Sequence, residues 1–232
     1  MDDAYEGPER LVRSGTEKNA ERAPERALER KGPFLVVGLG NPGLEYQFTP
    51  HNAGQLAIDR IAERCGATVS NRRCRALTAT ARIAGKEVIL AKPETFMNLS
   101  GISVQALLNE FDADPLRDLI VLYDDLDLPL GRLQMKERGS AAGHNGAKSV
   151  AGALKSDEWL RLRIGVGPDA QGPESARRGD KDYLLTPMRK ADMALLDEVL
   201  DRVASAVEMV LTSGVSAAMN EFNRRERNGP TE

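Results

Sequence analysis

The chain has 232 residues, of which 41% are hydrophobic and only 4% aromatic, and its formal net charge is −3. That length supports one substantial core built mainly of aliphatic side chains, and it leaves little room for two independent domains. The slightly acidic balance excludes a protein that coats nucleic acid indiscriminately, because such binding needs an excess of Lys and Arg, although it allows one small basic patch.

Three further features of the sequence bear on where the protein works. No apolar run approaches the ~18 residues needed to cross a bilayer. The N-terminus is charged and lacks the apolar stretch of a signal peptide. The two cysteines, Cys65 and Cys74, have no spacing typical of a metal site or a disulfide framework. We therefore predict a soluble, cytoplasmic protein without a membrane partner.

The first part of the chain differs in character from the rest. Glu and Arg alternate through residues 21–30, and prolines interrupt the segment without any apolar face. Such a composition cannot bury enough apolar surface to fold. We predict a disordered, charged tail over residues 1–32 and a folded domain over residues 33–232.

From residue 34 onward, short apolar strands alternate with segments of helical periodicity. Strands are predicted at residues 34–38, 88–90, 118–123, 133–136 and 160–166. Helices are predicted at residues 53–64, 103–111, 147–154, 196–213 and 216–223, and a mobile loop at 168–180. This alternation predicts a single-domain, layered α/β fold with a mixed, largely parallel twisted sheet flanked by helices.

A glycine motif directly after the first strand must be tested as a dinucleotide site. Residues 38–43, GLGNPG, satisfy the spacing of that motif, which places a pyrophosphate at a helix N-terminus. Here Pro42 stands inside the motif, and the chain is predicted to stay irregular as far as Pro50. The motif also requires an acidic residue about 20 residues further on, at the end of a second strand, and the nearest candidate, Glu63, falls within a predicted helix. The glycines are better explained as a tight loop that places Asn41 at the carboxyl end of a strand.

Polar side chains suited to ester hydrolysis cluster at the predicted strand ends and helix starts. The chain has only two histidines, His51 and His144, and each is followed by an asparagine. Asn41, Asn98 and Asp124 occupy similar positions. A neutral imidazole can take a proton from water, a carboxylate can orient that imidazole, and amide groups can donate to a developing oxyanion. Because no serine elbow or activated cysteine is evident, we predict water as the nucleophile.

An acidic cluster allows a different interpretation. Asp124, Asp125 and Asp127 offer the oxygen ligands that Mg²⁺ prefers. Alternation along an extended segment would point Asp125 away from the other two, and no further acidic group completes a coordination shell. We therefore predict no metal site.

Seven segments form an ordered series of motifs along residues 34–222. They are VGLGNPG at 37–43, EY at 45–46, TPHNAG at 49–54, KPETFMNLSG at 92–101, DDLDLPLG at 124–131, GHNGAK at 143–148 and RLRIGVG at 161–167. The series resembles the bacterial-type peptidyl-tRNA hydrolases. The resemblance implies hydrolysis of the ester between a peptide and the terminal ribose of tRNA, which frees tRNA for reuse in translation.

The resemblance also implies roles for individual residues. His51 would be the general base, Asp124 its orienting partner, and Asn41 the residue that binds the scissile carbonyl or its oxyanion. Substrate would be bound by Tyr46, Phe96, Met97, Asn98, His144 and Asn145, with Asn98 and Asn145 holding the substrate backbone and the water. The tRNA acceptor stem and CCA end would meet phosphate contacts from Lys136, Arg138, Lys148 and Arg163. The family needs no cofactor and is usually monomeric.

Departures from the family pattern leave two other functions open. Pro50 stands where the family commonly has arginine, and Ser140-Ala-Ala-Gly143 replaces a more glycine-rich run. An RNA-binding relative that has lost turnover is the main alternative, although such a protein has no chemical need for the whole His, Asp and Asn set. A nicotinamide-dependent oxidoreductase is the third hypothesis, and binding of a nicotinamide cofactor would reveal it.

Overall fold

The computed structural model describes residues 32–168 and 181–224 of the chain. The predicted tail, apart from its last residue, and the predicted mobile loop, apart from Pro168, lie outside the described residues. Both therefore stay predictions. Among the described helices, none is both long enough and apolar enough to cross a membrane.

The described domain is built on one seven-stranded sheet with the strand order β2-β3-β4-β1-β5-β7-β6. The strands are β1 Phe34–Gly38, β2 Asn71–Arg73, β3 Ala76–Ile83, β4 Lys86–Pro93, β5 Leu119–Pro129, β6 Leu133–Arg138 and β7 Glu158–Gly167. The central strands β4, β1, β5 and β7 run parallel, while β2, β3 and β6 are joined antiparallel at the two edges. The predicted mixed sheet is confirmed, and its parallel part is the middle.

Helices cover both faces of this sheet. They are α1 Ala53–Arg64, α2 Ser100–Glu110, α3 Asn145–Leu154, α4 Lys181–Leu185, α5 Lys190–Ser213 and α6 Val215–Phe222. One apolar core joins α1, α5 and α6 to one face, and a second joins α2 and α3 to the other. Alternate residues of the central strands supply both cores, which is why these strands read as continuous apolar runs.

The prediction from sequence found the central strands and all of the long helices, but it missed the antiparallel edge formed by β2 and β3. Strand β3 has the sequence ALTATARI, whose small and polar residues carry little hydrophobic signal, and β2 is exposed throughout. The β3–β4 hairpin nevertheless pairs in register from Ala76 opposite Pro93 to Ile83 opposite Lys86. Cross-strand pairing, which is not visible in a single segment, makes this edge.

Two glycines allow an unusually close approach between β1 and the start of α1. A methyl group on Gly38 would lie 2.1 Å from the carbonyl oxygen of Gly54, and one on Gly54 would lie 2.4 Å from that of Leu122. Only glycine permits such contact between backbones. The first turn of α1 is thereby held against the carboxyl ends of β1 and β5, where α/β proteins place their binding sites.

Candidate active site

One cavity lies at the carboxyl ends of the parallel strands, with a volume of about 820 Å³. All nine residues predicted to be catalytic or to bind substrate contribute to its lining: Asn41, His51, Asp124, Tyr46, Phe96, Met97, Asn98, His144 and Asn145. The segments after β1 and β4, strand β5 itself and the loop that leads into α3 bring them together from distant parts of the chain. Leu184 and Leu185 of α4 complete the wall.

His51 and Asp124 form the central pair of this cavity. Nδ1 of His51 lies 2.9 and 3.0 Å from the two carboxylate oxygens of Asp124, which is 73 residues away in sequence. His51 lies in a 3₁₀ turn, Pro50–Asn52, directly before α1, and Asp124 lies in β5 beyond its apolar segment. Because Nδ1 donates to the carboxylate, the neutral imidazole carries its lone pair on Nε2.

His144 binds the same carboxylate as His51. Its Nε2 lies 2.8 Å from Oδ1 of Asp124, and its Nδ1 accepts the backbone N–H of Ala147 at 3.0 Å. Since a backbone N–H can only donate, Nδ1 must be unprotonated and Nε2 must be the nitrogen that donates to Asp124. Both ring nitrogens of His144 are therefore engaged within the protein.

Charge and burial act in opposite directions on this network. Burial by itself favours the neutral forms, yet the two histidines more than offset it at Asp124, whose pKa is well below its ordinary range. Burial likewise would lower the pKa of His51, but the charge and hydrogen bond of Asp124 raise it above its ordinary value. Asp124 therefore stays ionised, and it makes His51 a stronger base than a free imidazole.

The same three side chains have the composition of a metal site, because three ligand atoms of His51, Asp124 and His144 lie within 4.8 Å of one another. A cation on Nε2 of His144 would have to displace its proton while Nδ1 still accepts from Ala147. That exchange would leave an unfavourable imidazolate. The donor set fits a hydrogen-bonded acid–base network better than a cation.

Asn41 is fixed in the cavity through every polar atom but one. Its backbone N–H donates to Oδ1 of Asn52 at 2.9 Å, and its backbone carbonyl accepts from Nδ2 of Asn52 at 3.0 Å. Its side-chain Oδ1 accepts the backbone N–H of Met97 at 2.9 Å. No described residue pairs with its Nδ2, and Asn41 lines the cavity, so this amide can donate to an oxyanion bound there.

Comparison with known proteins identifies the family. A family model described as peptidyl-tRNA hydrolase matches residues 35–230. A peptidyl-tRNA hydrolase of Acidobacterium capsulatum is 64% identical over 85% of this chain and 98% of its own length. One of Koribacter versatilis is 52% identical over 82% of this chain and 92% of its own. The chain belongs to the peptidyl-tRNA hydrolase family.

Solved structures of this family have the same fold. The peptidyl-tRNA hydrolase of Acinetobacter baumannii superposes with a TM-score of 0.75 at 30% identity, over 85% of this chain and 97% of its own. A structure of a peptidyl-tRNA hydrolase with N-propanol has the same TM-score and identity, and it is covered over 98% of its length. The predicted family and the predicted α/β fold are thus confirmed.

Arg163 differs from the other predicted phosphate contacts because its side chain is covered. It is only 7% exposed, its Nε pairs with Oδ2 of Asp125, and its Nη1 donates to Gln134 at 2.5 Å. Two nitrogens of the guanidinium are thus engaged within the protein, and its contact with a tRNA phosphate stays a prediction. The sequence did not reveal this pairing, because alternating arginines in a strand do not show which face is covered.

The other three basic residues lie on the surface. Lys136, Arg138 and Lys148 are exposed. Lys136 of β6 stands opposite Arg161 of β7, and it therefore projects from the sheet face that carries α2 and α3, the same side as Lys148. These positions remain compatible with a phosphate patch.

The acidic cluster is also divided by the structure. Asp124 binds the two histidines, whereas Asp125 pairs with Arg163 and accepts the backbone N–H of Asp127 at 2.9 Å. Burial raises the pKa of Asp125, and Arg163 opposes that effect. The three carboxylates therefore do not converge on one point. Asp125 points away from Asp124 as predicted, but it lies beside Asp127, because residues two apart in a strand share a face.

The two departures from the family pattern have structural consequences. Pro50 is buried at the first position of the 3₁₀ turn, where a missing N–H costs nothing and the fixed backbone angle suits a helix start. Ala142 adopts φ 47°, a left-handed conformation that glycine reaches without strain. The proline is thus well placed, while the alanine puts strain into the loop before His144.

Asn52 is the site residue that reasoning from the sequence overlooked. It is 2% exposed and holds the backbone of Asn41 through two hydrogen bonds. The available signal was its position directly after His51, which parallels the His144-Asn145 pair. Its function as a clamp could not be read from that position, because its partner lies 11 residues away in an irregular loop.

Proposed function

We propose that this chain hydrolyses the ester bond between a peptide and tRNA, with His51 as the general base. The observation that carries the proposal is the cavity in which His51 bonds to Asp124 through Nδ1 while Asn41 retains one amide donor. Membership of the peptidyl-tRNA hydrolase family supplies the substrate class.

The geometry supports a metal-free route. Nε2 of His51 takes a proton from water as the oxygen attacks the ester carbonyl, and Asp124 stabilises the imidazolium that forms. Nδ2 of Asn41 donates to the oxyanion of the tetrahedral intermediate. When the intermediate collapses, His51 returns the proton to the ribose oxygen that leaves with tRNA. The products are a peptide carboxylate and free tRNA.

The surrounding residues divide by position. Tyr46, Phe96 and Met97 offer apolar contact to the peptide, while Asn98 and Asn145 are exposed amides at the rim that hold the substrate backbone and the attacking water. His144 acts on Asp124 and not on substrate, because neither of its ring nitrogens is available. This assigns His144 a different role from the substrate contact expected from the sequence.

The tRNA part of the substrate is expected outside the cavity. We assign the acceptor stem to Lys136, Arg138 and Lys148 and the CCA end to the cavity mouth. Charge-neutralising contacts of this kind make binding weaken as salt rises. Activity as a monomer, which the resemblance implies, stays a prediction.

The test is release of free tRNA from an N-blocked aminoacyl-tRNA by the purified protein, with and without a chelator. We expect turnover that resists the chelator and falls by at least ~10²-fold in His51→Ala, the scale of losing a general base. Binding of uncharged tRNA and the unfolding temperature serve as controls, and both should change little. A wild-type protein that binds tRNA without turnover would favour the RNA-binding relative, and chelator-sensitive turnover would overturn the metal-free route.

A further inference from the structure

A buried arginine lies behind the loop that leads to His144. Arg161 belongs to β7, and only 1% of its surface is exposed. Its guanidinium stacks 3.9 Å from the ring centroid of Trp159, also in β7. It does not line the cavity. The proposed chemistry therefore assigns it no task.

The guanidinium bonds to backbone carbonyls from two segments. Nη1 donates to the carbonyl of Gly139 and, at 3.2 Å, to that of Ser140. Nη2 donates to the carbonyl of Asp157 at 2.7 Å. Arg161 thus connects the start of the loop at residues 139–143 to the beginning of β7 through hydrogen bonds.

Such an arrangement is poorly explained by stability alone. Removing a charge from water is costly, and a well-packed apolar side chain in its place is often as stabilising or more so. Burial accordingly lowers the pKa of Arg161, although Tyr123 and Asp157 oppose that effect. A planar group with several fixed donors can, however, hold carbonyls at defined positions, which an apolar side chain cannot.

What the loop holds is the second histidine. The backbone N–H of His144 donates to the carbonyl of Ala141 at 2.9 Å, so the position of the ring follows the loop. The loop needs support, because Ala142 and Gly143 both adopt positive φ angles. Behind the ring, Tyr123 lies 4.7 Å from His144 and 6.5 Å from Trp159 between ring centroids. Loop and aromatic stack both connect His144 to the Trp159–Arg161 pair.

We propose that Arg161 is a positioning residue for the hydrolytic reaction: it holds the loop at 139–143 so that His144 can donate to Asp124. It acts through His144, and it contacts neither substrate nor the reacting atoms. This proposal rests on the proposed function. Trp159 would orient the guanidinium of Arg161 by stacking against it.

The test compares Arg161→Met and Arg161→Lys with a matched control, Arg60→Met. Arg60 is a half-buried arginine, and it joins α1 to α5 through Asp197 at 3.0 Å and Asp201 at 2.7 Å, away from the loop. Each variant is assayed well below its unfolding temperature. We expect the Arg161 variants to lose between about threefold and 10-fold in kcat, with KM changed less than about threefold. Small displacements of a catalytic group are costly, and the loss of His144 itself sets the upper limit. Arg60→Met should lower the unfolding temperature and leave kcat unchanged.

A rescue experiment separates positioning from simple packing. Arg161→Ala leaves a space against Trp159 that a free guanidinium ion fits. Guanidinium at roughly 50 mM, far below denaturing concentrations, should restore part of kcat in this variant, and it should not raise kcat in Arg60→Met. If the Ala and Met variants fail to fold, the decision rests on Arg161→Lys and on Trp159→Phe, which keeps a smaller ring.

Two outcomes would overturn the proposal. One is a folded Arg161→Lys or Arg161→Met protein whose kcat stays within about twofold of wild type, the ordinary spread for a residue remote from the chemistry. The other is a kcat loss in the Arg60 control as large as that in the Arg161 variants. Neither outcome touches the proposed function, which fails only if the wild-type protein lacks turnover in the same assay.

Discussion

The chain contains two His-Asn pairs, each at the start of a helix and each with its histidine bonded to Asp124, yet the two differ in what they leave available. His51 uses Nδ1 for Asp124 and keeps Nε2, whereas His144 has both nitrogens engaged. Asn52 is buried and hydrogen-bonds to the backbone of Asn41, whereas Asn145 is exposed and lines the cavity.

Under the proposed mechanism, the same dipeptide supplies the reactive group in one pair and supports the site in the other. In the first pair the histidine would accept the proton, and the asparagine holds the backbone of Asn41. In the second pair the histidine supports and the asparagine faces the cavity. The hydrogen-bond partners, and not the residue types, determine which atom is available for reaction.

Asp124→Asn should produce the largest loss, because both histidines bond to this carboxylate. An amide offers one of them the wrong partner and removes the charge that stabilises the imidazolium. We expect kcat to fall by about 10³-fold or more, with a much smaller change in KM. Steady-state kinetics on N-blocked aminoacyl-tRNA measures both, and a rise in KM alone would contradict the role of Asp124.

The acid limb of the pH profile should report the protonation of His51. His51 must be neutral to accept a proton, and its pKa is raised, so activity should fall as pH drops through a value above 6.5. The loss approaches tenfold per pH unit below that value. Because Asp124 stays ionised there, the limb should reflect one proton, and His144→Gln should keep that one-proton limb. A two-proton limb, or one near pH 4 typical of a carboxylate, would refute this assignment.

Asn52→Ala and Asn145→Ala should separate support from contact. The first leaves the N–H and carbonyl of Asn41 unpaired in a buried position, which should lower the free energy of unfolding by about 1–3 kcal/mol and also reduce kcat. The second removes an exposed amide and should change the free energy of unfolding by less than about 0.5 kcal/mol. Its main effect should be a rise in KM. Chemical denaturation checks both, and equal loss of stability in the two variants would remove the distinction.

His144→Gln should cost less than the same change at His51. We expect about a 10-fold reduction in kcat at His144, where a support for Asp124 is lost, against at least ~10²-fold at His51, where the base itself is lost. Single-turnover measurements would isolate the chemical step. Losses of equal size would mean that both histidines take part in proton transfer.

Ala142→Gly should give the smallest effect, and it should be stabilising. Relief of the left-handed conformation exceeds the added entropy of the unfolded chain by up to about 1 kcal/mol. Ala141→Gly is the matched control, since Ala141 has no positive φ and should lose stability. Thermal unfolding of both variants tests this, and a shift in the same direction for both would contradict the strain at Ala142.

The sequence was sufficient for much of the fold. The apolar runs of β1, β5 and β7 and the periodicity of α1 and α5 have enough local signal to be found directly. Strand β3 was missed because its burial depends on its pairing with β4, which the sequence of β3 alone does not reveal. For the same reason β5 was predicted to end at Tyr123, although its polar continuation stays in the sheet to Pro129.

For the site, the sequence supplied the residues but not their connections. All nine predicted residues line one cavity, because strand ends and helix starts converge at one edge of a parallel sheet. The sequence could not show that Arg163 is covered, because its surroundings depend on Asp125 and Gln134, from two other strands. Asn52 and Arg161 went unassigned because each acts on backbone atoms, which every residue has.

The sequence by itself thus determined the fold class, the family and the set of side chains available for ester hydrolysis. These properties depend on local periodicity and on short motifs that can be recognised in the linear sequence. Only the tertiary structure decided which nitrogen of each histidine is available, which arginine is covered and which asparagine holds another. Those properties follow from hydrogen-bond partners and burial contributed by segments such as residues 51 and 124, which are 73 positions apart.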